Sequence, residues 1–346
     1  MKIWNFGIIG AGLIADFHAR AINSLPNANL AGICGTNQQK VNALAKKYNC
    51  RAYMDYEELL KSTDIDIVTI ATPSGAHMEP SVMAAIHGKH VICEKPLDIS
   101  LERIDRMIDA HEKAGTKLGG IFNYRYNNSL SHIKKAVDDG RFGTITCASV
   151  YVPWWRPESY YSGSWHGTKK LDGGGALMNQ GIHMIDILQH LMGPVESLQA
   201  YTATLAHNIE VEDTAVCILR FKRGPLGMIY GTTASFPGQF RRLEITGTKG
   251  TVIQVENSFR VWQFSEPQDV DKEIVSESGI IEGGGGVSDP AAIPFEPHAK
   301  NISAFISSVG TGKPFEIDGR EARKAVEIIL AVYKSASEKK PFYFIF

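Results

Sequence analysis

The sequence predicts an α/β protein, with a doubly wound parallel sheet in its first third and a second, strand-rich domain after it. Apolar strands and helical segments alternate up to about residue 122, which is typical of a parallel sheet with helices on both faces. From residue 144 onward, short segments rich in β-branched and aromatic residues replace that alternation. The length of 346 residues also favours two domains, which we place at residues 1–124 and 125–346. The alternative for the closing helices of the second domain is that they pack back on the first.

Each element of the first domain is predicted from an apolar run or a helical pattern bounded by turn residues. The predicted strands are residues 3–9, 29–34, 65–71, 90–93 and 117–122. The predicted helices run from a glycine turn to about residue 25 and over residues 38–48, 79–87 and 101–114. Gly115 follows the last of these helices, where a left-handed residue commonly ends a helix.

The second domain is predicted from strands first and helices last. Examples of its expected strands are residues 144–152, 195–205, 213–221, 226–233 and 243–246. Two closing helices are expected at residues 294–309 and 320–337, and the apolar residues 342–346 are expected to dock. The segment GGGGVSDP, residues 283–290, is interpreted as a connecting loop, with closure over a site as the alternative.

Composition and charge exclude several classes of partner. Hydrophobic residues make up 44% and charged residues 21%, and the formal net charge is −1. Because there is no basic excess, we expect neither nucleic acid nor an anionic membrane as a partner. The five cysteines are scattered and form no C-x-x-C pair, so neither structural zinc nor a disulfide framework is expected. Without a signal-peptide pattern or a membrane-length apolar run, the expected location is the cytoplasm.

The turn after the first strand has the pattern of a dinucleotide-binding site. Gly10, Gly12 and Ala15 form a G-x-G-x-x-A motif that opens a helix. Gly10 permits the tight turn, Gly12 lets a pyrophosphate approach the backbone, and Ala15 packs the helix closely on the strand. The free N–H groups of the helix N-terminus would face the phosphates. The alternative is a tight strand–helix turn with no ligand.

The residues after the second strand bear on the type of nicotinamide dinucleotide. NAD is normally recognised by an acidic side chain at this place, and none occurs between residues 16 and 55. Thr36 and Asn37 could hydrogen-bond a 2′-phosphate, and Lys40 could reach it. No arginine directly follows the strand. These residues favour NADP over NAD.

Polar residues at the ends of the next strands are candidates for the reaction centre. Lys95 directly follows the strand at residues 90–93, and ligands of open parallel sheets bind at the carboxyl ends of strands. A partly desolvated lysine there could act in proton transfer. The alternative is a surface lysine paired with Glu94. Thr72, Pro73 and His77 are expected to shape the nicotinamide pocket, although a plain helix-entry turn would have the same residues.

The segment LDGGGALMNQGIHMID, residues 171–186, places a polar stripe on an otherwise apolar helix. Asn179, His183 and Asp186 follow at i, i+4 and i+7, so they are expected on one helix face. The alternative is a histidine held by Asp186 in a core. His190 extends the set, but the spacing along one helix face is unsuited to a metal site, and no metal is expected.

An aromatic segment at residues 151–166 is a candidate for sugar binding. Aromatic rings stack on the C–H faces of sugars, and polar groups bind the hydroxyls. The candidates here are Trp154, Arg156, Tyr161 and Trp165. The alternative is that the aromatic residues cover a sheet edge or fill an interface. Asn123 and Arg125, which follow the last predicted strand of the first domain, are expected to line the pocket near the nicotinamide.

These motifs together resemble the glucose–fructose oxidoreductase, inositol dehydrogenase and rhizopine catabolism (Gfo/Idh/MocA) family over essentially the whole chain. The resemblance lies in Gly10-x-Gly12-x-x-Ala15, Ala71-Thr72-Pro73 with His77, Glu94-Lys95-Pro96, Gly173-Gly174-Gly175 with His183 and Asp186, and the tail segment FEIDGREA. It implies an N-terminal Rossmann domain and a C-terminal domain with a large, mostly antiparallel sheet. The open face of that sheet would mediate a homodimer or homotetramer.

The resemblance also implies an NAD(P)-dependent hydride transfer at a secondary alcohol or ketone of a sugar, cyclitol or nucleotide-linked sugar. His183 would take the hydroxyl proton, Lys95 would hold the same oxygen, and Asp186 would hold the imidazole in one tautomer; either Lys95 or His183 could be the formal base. Inositol dehydrogenase-like members often carry Asp where this chain has Asn179, which cannot relay a proton. The phrase GGGALMNQGIH resembles the branch that oxidises nucleotide-linked hexuronates at C3.

Motifs and resemblance together define two expected residue sets. The cofactor would contact Gly10, Gly12, Leu13, Ile14, Thr36, Asn37, Lys40, Ala71, Thr72, Pro73, His77, Glu94, Lys95 and Asn123. The substrate would contact Lys95, Arg125, Trp154, Arg156, Tyr161, Trp165, Asn179 and His183. Two other functions stay open: a glycosidase that uses NAD for a transient oxidation at C3, and a cofactor-binding regulator without catalysis.

Overall fold

The computed structural model describes residues 2–277 and 295–345, and the loop expected at residues 283–290 lies outside them. The chain divides into two compact units. The first unit comprises Met1–Asn123 and Pro294–Arg323, and the second comprises Tyr124–Ile293 and Lys324–Phe346. The division of the chain therefore lies beside Asn123 and again within the last helix.

The first unit is built on a six-stranded parallel sheet in the order β3-β2-β1-β4-β5-β6. Its strands are β1 (Trp4–Ile9), β2 (Ala28–Cys34), β3 (Arg51–Tyr53), β4 (Ile67–Ile70), β5 (His90–Cys93) and β6 (Leu118–Gly120). This is the doubly wound Rossmann order, in which the chain reverses direction across the sheet between β1 and β4. The predicted parallel sheet is confirmed, and β3 is an additional short strand.

Half of the six helices described in the first unit begin at a residue whose side chain caps them. The six helices are α1 (Leu13–Asn23), α2 (Gln38–Tyr48), α3 (Tyr56–Lys61), α4 (Met78–Ile86), α5 (Leu101–Ala114) and α10 (Glu296–Thr311). The side chains of Asn37, Asp55 and Ser100 accept N-terminal N–H groups of α2, α3 and α5. Gly115 ends α5 at φ 68°, as predicted.

The returning segment around α10 completes the edge of this sheet. Asn301 on α10 accepts the Phe122 N–H through Oδ1 at 3.0 Å. The Gly120 N–H donates to the Ile317 carbonyl at 2.8 Å, and Gly119 forms an antiparallel bridge with Asp318. These bonds satisfy backbone groups of β6 that an edge strand would otherwise expose.

The second unit is built on an eight-stranded sheet in the order β13-β12-β11-β7-β10-β9-β8-β14. Its strands are β7 (Ile145–Pro153), β8 (Val195–Ala203), β9 (Thr214–Phe221), β10 (Leu226–Thr232), β11 (Arg242–Gly247), β12 (Gly250–Val255), β13 (Ser258–Phe264) and β14 (Phe342–Tyr343). All neighbouring pairs are antiparallel except β10 with β7. The mostly antiparallel sheet is therefore confirmed, and β12 and β13 were missed.

Helices of the second unit lie at α6 (Asn128–Asp138), α7 (Glu158–Tyr161), α8 (Ile182–Met192), α9 (Val270–Glu277) and α11 (Gly319–Glu338), whose first turn belongs to the first unit. Side chains of β9 alternate between buried and exposed, so one sheet face is packed and the other faces outward. The docking of the C-terminal residues is observed as pairing of Phe342 with Leu198 on β8. In the described residues, no helix is long and apolar enough to span a membrane.

Candidate active site

The glycine turn after β1 has the geometry that a dinucleotide requires. Gly10 has φ 122°, and a Cβ there would overlap the carbonyl oxygen of Ala71 at the end of β4. Gly12 is the N-cap of α1 without a side-chain cap, and a Cβ there would meet no described atom within 4 Å. The apolar side chains of Leu13 and Ile14, on the first turn of α1, are 51% and 37% exposed. The turn therefore fits a bound pyrophosphate at the helix N-terminus.

The residues expected near the adenosine ribose are exposed, but one of them has a structural role. The Asn37 side chain accepts the Lys40 backbone N–H at 3.0 Å and so caps α2. Thr36 and Lys40 are exposed at the same end of β2. The capping bond uses the Asn37 oxygen, which leaves Thr36 and Lys40 as the better placed groups for a 2′-phosphate.

The turn after β4 is tied to the turn after β5 through His77. This buried imidazole lies 2.9 Å from the carbonyl oxygen of Thr72 through Nε2 and 2.9 Å from that of Pro96 through Nδ1. Thr72 also donates its hydroxyl to the Ala76 carbonyl at 3.0 Å. His77 thus holds the turns that carry Thr72 and Lys95 at one edge of the sheet, and its role in shaping a nicotinamide pocket stays a prediction.

Glu94 is the centre of a buried cluster that sequence reasoning missed. Its Oε1 lies 2.8 Å from His18 Nε2 on α1 and 3.7 Å from His298 Nε2 on α10, and its Oε2 accepts the Lys95 N–H at 3.1 Å. Burial raises the pKa of Glu94, but the hydrogen bonds from the two histidines outweigh it and hold that pKa well below its usual range. Burial lowers the pKa of His18.

The outer nitrogens of both histidines are also held. His18 Nδ1 lies 2.7 Å from the Thr69 hydroxyl, and the Asn123 amide donates to His298 Nδ1 at 3.2 Å. The ligand atoms of His18, Glu94 and His298 all lie within 4.8 Å of one another, a geometry that a metal ion could also use. The Asn123 Oδ1 atom is buried and has no hydrogen-bond partner among residues 2–277 and 295–345, so it fits an amide N–H of a bound nicotinamide.

In the second unit, two glycines of the run lie too close to neighbouring groups to carry a side chain. A Cβ on Gly175 would overlap the carbonyl oxygen of Glu212, and one on Gly174 would overlap the Tyr333 hydroxyl. The Glu212 carboxylate accepts the Gly175 N–H at 2.8 Å, the Leu177 N–H at 2.9 Å and the Tyr333 hydroxyl at 2.9 Å. Burial raises the pKa of Glu212, and the hydrogen bonds, which lower it, offset only part of that rise. The buried carboxyl therefore fixes the start of the following helix.

That helix begins with a π-helical turn, which the sequence analysis did not predict. Residues Ala176–Gly181 are π-helical and α8 follows from Ile182. The wider turn changes the angular spacing between Asn179 and His183 relative to a regular α-helix, and the shared face of Asn179, His183 and Asp186 stays a prediction. The Asn179 amide donates to Asp172 at 2.9 Å and lies 3.2 Å from His166 Nδ1.

His183 lies half-buried at the start of α8 and is held by an aromatic ring. Its imidazole stacks on Tyr124 with the ring centroids 4.4 Å apart and an interplanar angle of 25°. Both carboxylate oxygens of Asp186 accept from Arg125, at 2.6 and 2.7 Å, and Arg125 also approaches His190 Nδ1 at 3.1 Å. Arg125 is thus in an ion pair with Asp186, a contact that the sequence analysis did not predict.

The aromatic segment contains both packed and partly exposed side chains. The Tyr161 hydroxyl donates to Thr233 at 2.8 Å, in the packed interior. Trp165 is half-buried and its ring centroid lies 3.9 Å from that of His166. Arg156 is buried, its guanidinium lies 5.1 Å from the Trp154 ring, and desolvation lowers its pKa. The buried Trp154 indole N–H lacks a hydrogen-bond partner within the described part of the chain, so it is a candidate donor to a ligand.

Comparisons with known proteins agree with these two units. A model described as "Oxidoreductase family, NAD-binding Rossmann fold" matches residues 4–121, and one described as "GFO/IDH/MocA C-terminal domain" matches residues 130–253. The uncharacterized oxidoreductase YrbE of Bacillus subtilis is 30% identical over 348 residues, covering 97% of this chain and 95% of YrbE. The chain belongs to the Gfo/Idh/MocA family. It is a nicotinamide-dependent oxidoreductase, as the sequence predicts.

Two further relatives are named for, or were solved with, different sugar or cyclitol compounds. Myo-inositol 2-dehydrogenase of Thermotoga maritima is 28% identical over 346 residues, with 96% of each chain covered. The WlbA dehydrogenase from Bordetella pertussis, solved in complex with NADH and UDP-GlcNAcA, is 34% identical. Its TM-score is 0.91, and the match covers 100% of this chain and 99% of WlbA.

Proposed function

We propose that this oxidoreductase acts on a nucleotide-linked hexuronate, oxidising a secondary hydroxyl at C3 of the sugar to a ketone. The observation that carries the proposal is the full-length likeness, at 34% identity, to a dehydrogenase that binds NADH and UDP-GlcNAcA. Asn179 stands where inositol dehydrogenase-like members often carry Asp, which disfavours inositol. A sugar carboxylate also needs cationic partners, and the second unit has a buried Arg156 beside Trp154.

The reaction requires that a hydride and a proton leave the same CH–OH group. A dinucleotide bound in the first unit would supply the hydride acceptor. The proton must go to a side chain of the protein, and Lys95 and His183 are the proposed groups, on the family resemblance. His183 Nδ1 or Nε2 takes the hydroxyl proton, and the Lys95 ammonium group stabilises the oxygen from which it leaves. Both side chains are half-buried, so water competes less for these contacts.

Residues of the first unit are proposed to bind the dinucleotide. The α1 N-terminus would hold the pyrophosphate through backbone N–H groups beside Gly12, and the exposed Leu13 and Ile14 would contact the dinucleotide. Asn123 orients the nicotinamide amide through its buried Oδ1. We propose NAD as the preferred dinucleotide, because the WlbA relative was solved with NADH and because the Asn37 oxygen is used in capping α2. The absence of an acid after β2 is the opposing argument for NADP.

The outward face of the eight-stranded sheet is the proposed surface of a homodimer or homotetramer. Large apolar side chains on neighbouring strands of this face are exposed, among them Tyr201 at 76%, Ile218 at 61% and Leu226 at 52%. Tyr201 lies opposite Val216 in the register of β8 and β9, so the apolar groups adjoin across strands. Monomeric proteins seldom expose contiguous apolar surface of this kind.

The decisive experiment follows absorbance of the reduced nicotinamide with purified protein, NAD or NADP, and UDP-GlcNAcA. The expected result is reduction of NAD that depends on UDP-GlcNAcA, with little reaction of UDP-GlcNAc, which lacks the carboxylate, or of myo-inositol. Lys95→Met and His183→Gln should each lower kcat by about 100-fold or more, while NAD binding followed by fluorescence is retained. Turnover of myo-inositol but not of UDP-GlcNAcA would overturn the proposed substrate class. Full turnover by both variants would overturn the proposed residues.

A further inference from the structure

We infer that Tyr124 and Arg241 are positioning residues for His183, an inference that rests on the proposed catalytic role of that histidine. Arg241 Cζ lies 3.8 Å from the Tyr124 ring centroid, and the His183 ring centroid lies 4.4 Å from the same point. Two planar groups this close to one ring cannot share a face without overlap. The three side chains therefore form a stack, with Tyr124 between a guanidinium and the imidazole.

Arg241, at one end of the stack, is held in place by hydrogen bonds and an ion pair. Arg241 is 7% exposed and donates from Nη2 to Asn257 Oδ1 at 3.0 Å, while its backbone N–H donates to Glu256 Oε1 at 3.1 Å. Glu256 Oε2 lies 3.3 Å from the same Nη2. Glu256 has φ 53°, a left-handed conformation that a glutamate rarely adopts. Strained backbone of this kind persists where the surroundings hold it, often near functional sites.

The same asparagine also holds the segment that carries Tyr124. Asn257 Oδ1 accepts the Asn127 side-chain amide at 3.1 Å, and the Asn127 backbone N–H donates to the Tyr124 carbonyl at 3.2 Å. The hairpin between β12 and β13 thus holds both Arg241 and the segment that carries Tyr124, the middle layer of the stack. His183, by contrast, sits at the point where the π-helical turn passes into α8, where the backbone alone leaves the ring rotation undetermined.

The stack matters for catalysis because it fixes the orientation of the His183 ring. A ring held flat against Tyr124 keeps its nitrogen atoms at its edge and directed away from the stack, where they can meet a substrate hydroxyl. Proton transfer depends steeply on this direction, because a displacement of about 1 Å at a reacting group can cost about 100-fold in rate. Arg241 contributes by closing the outer face of Tyr124, since a desolvated guanidinium over a ring restricts that ring.

The test compares Tyr124→Leu with the matched Tyr124→Phe, which keeps the ring and removes only the hydroxyl. Tyr124→Leu should lower kcat by about 10- to 100-fold, with KM for UDP-GlcNAcA and for NAD changed by less than about threefold. Tyr124→Phe should retain most of the wild-type kcat. Arg241→Gln should lower kcat in the same direction, and Arg241→Lys should recover part of the loss. Equal kcat values for the leucine and phenylalanine variants, or a loss that lies only in KM, would overturn the inference.

A second measurement needs no turnover. The NMR signals of the His183 ring protons can be observed in protein with selectively labelled histidine and assigned with His183→Gln. Their chemical shifts should change in Tyr124→Leu, which removes the ring current, and should stay close to the wild-type values in Tyr124→Phe. An unchanged His183 signal in the folded leucine variant refutes the stack. If UDP-GlcNAcA is not oxidised by the wild-type protein but this signal moves as expected, the proposed function fails while the positioning of His183 stands.

Discussion

Replacing Gly175 by alanine would place a methyl group where the carbonyl oxygen of Glu212 lies. Three hydrogen bonds converge there: the Ala176 N–H on that carbonyl at 3.0 Å, and the Gly175 and Leu177 N–H groups on the Glu212 carboxylate. Separating the two segments costs about 1–3 kcal/mol for the forced shift and about 1 kcal/mol for each bond weakened. The expected loss for Gly175→Ala is therefore about 4–6 kcal/mol.

A loss of this size is a large fraction of the ~5–15 kcal/mol that stabilises a typical domain. Urea unfolding followed by tryptophan fluorescence reports it, since only Trp4 lies in the first unit. The other four tryptophans lie in the second unit and are Trp154, Trp155, Trp165 and Trp262. The control is Gly12→Ala, where the new Cβ meets no described atom; it should unfold like the wild type but bind NAD more weakly. A change below about 1 kcal/mol for Gly175→Ala would refute the packing argument.

Three further predictions concern pH, an ion pair and the sheet face. His18 and Glu94 both have folded-state pKa values below their ordinary values of 6.5 and 4.5. The free energy of unfolding should therefore fall as the pH drops below about 6.5 and again below about 4.5. A free energy of unfolding by urea that stays constant between pH 8 and 4 contradicts this prediction. Arg125→Leu should lower the free energy of unfolding by about 3–5 kcal/mol, because the buried Asp186 charge loses its ion pair with Arg125. Adding Asp186→Leu should restore part of the lost stability. An unchanged free energy of unfolding in Arg125→Leu contradicts the prediction. Ile218→Lys should shift the protein toward a monomer in light scattering coupled to size exclusion, whereas an unchanged mass excludes this face as the interface.

Local patterns were enough to predict most of the first unit and the strands that follow it. The bounds of α2, β5 and α5 match the predicted residues 38–48, 90–93 and 101–114, because capping residues and apolar periodicity are local signals. The short elements β3 and α3 were missed, since three to six residues carry too little periodicity. The hairpin strands β12 and β13 were missed as well, although their β-branched and aromatic residues are a signal that was available.

The candidate site shows the same division between local and long-range information. Gly10, Lys95 and His183 could be selected from motifs, because each motif is defined by neighbours in the chain. Their partners could not: Glu94 meets His298 across 204 positions, Glu212 reaches back to Gly175, and Tyr124 lies between His183 and Arg241. A sequence pattern carries no information on which distant side chains meet, because that depends on how the sheets and helices pack.

By itself, the sequence determined the two-domain α/β organisation, the dinucleotide turn and the family. Glycine turns, caps and alternating hydrophobicity act over a few residues, so they can be recognised before any packing is known. Only the tertiary structure decided why Gly174 and Gly175 carry no side chain, that a π-helical turn follows them, and which groups hold Glu94 and His183. Those properties depend on close contacts between segments far apart in the chain, where a difference of one methyl group decides whether the backbone fits.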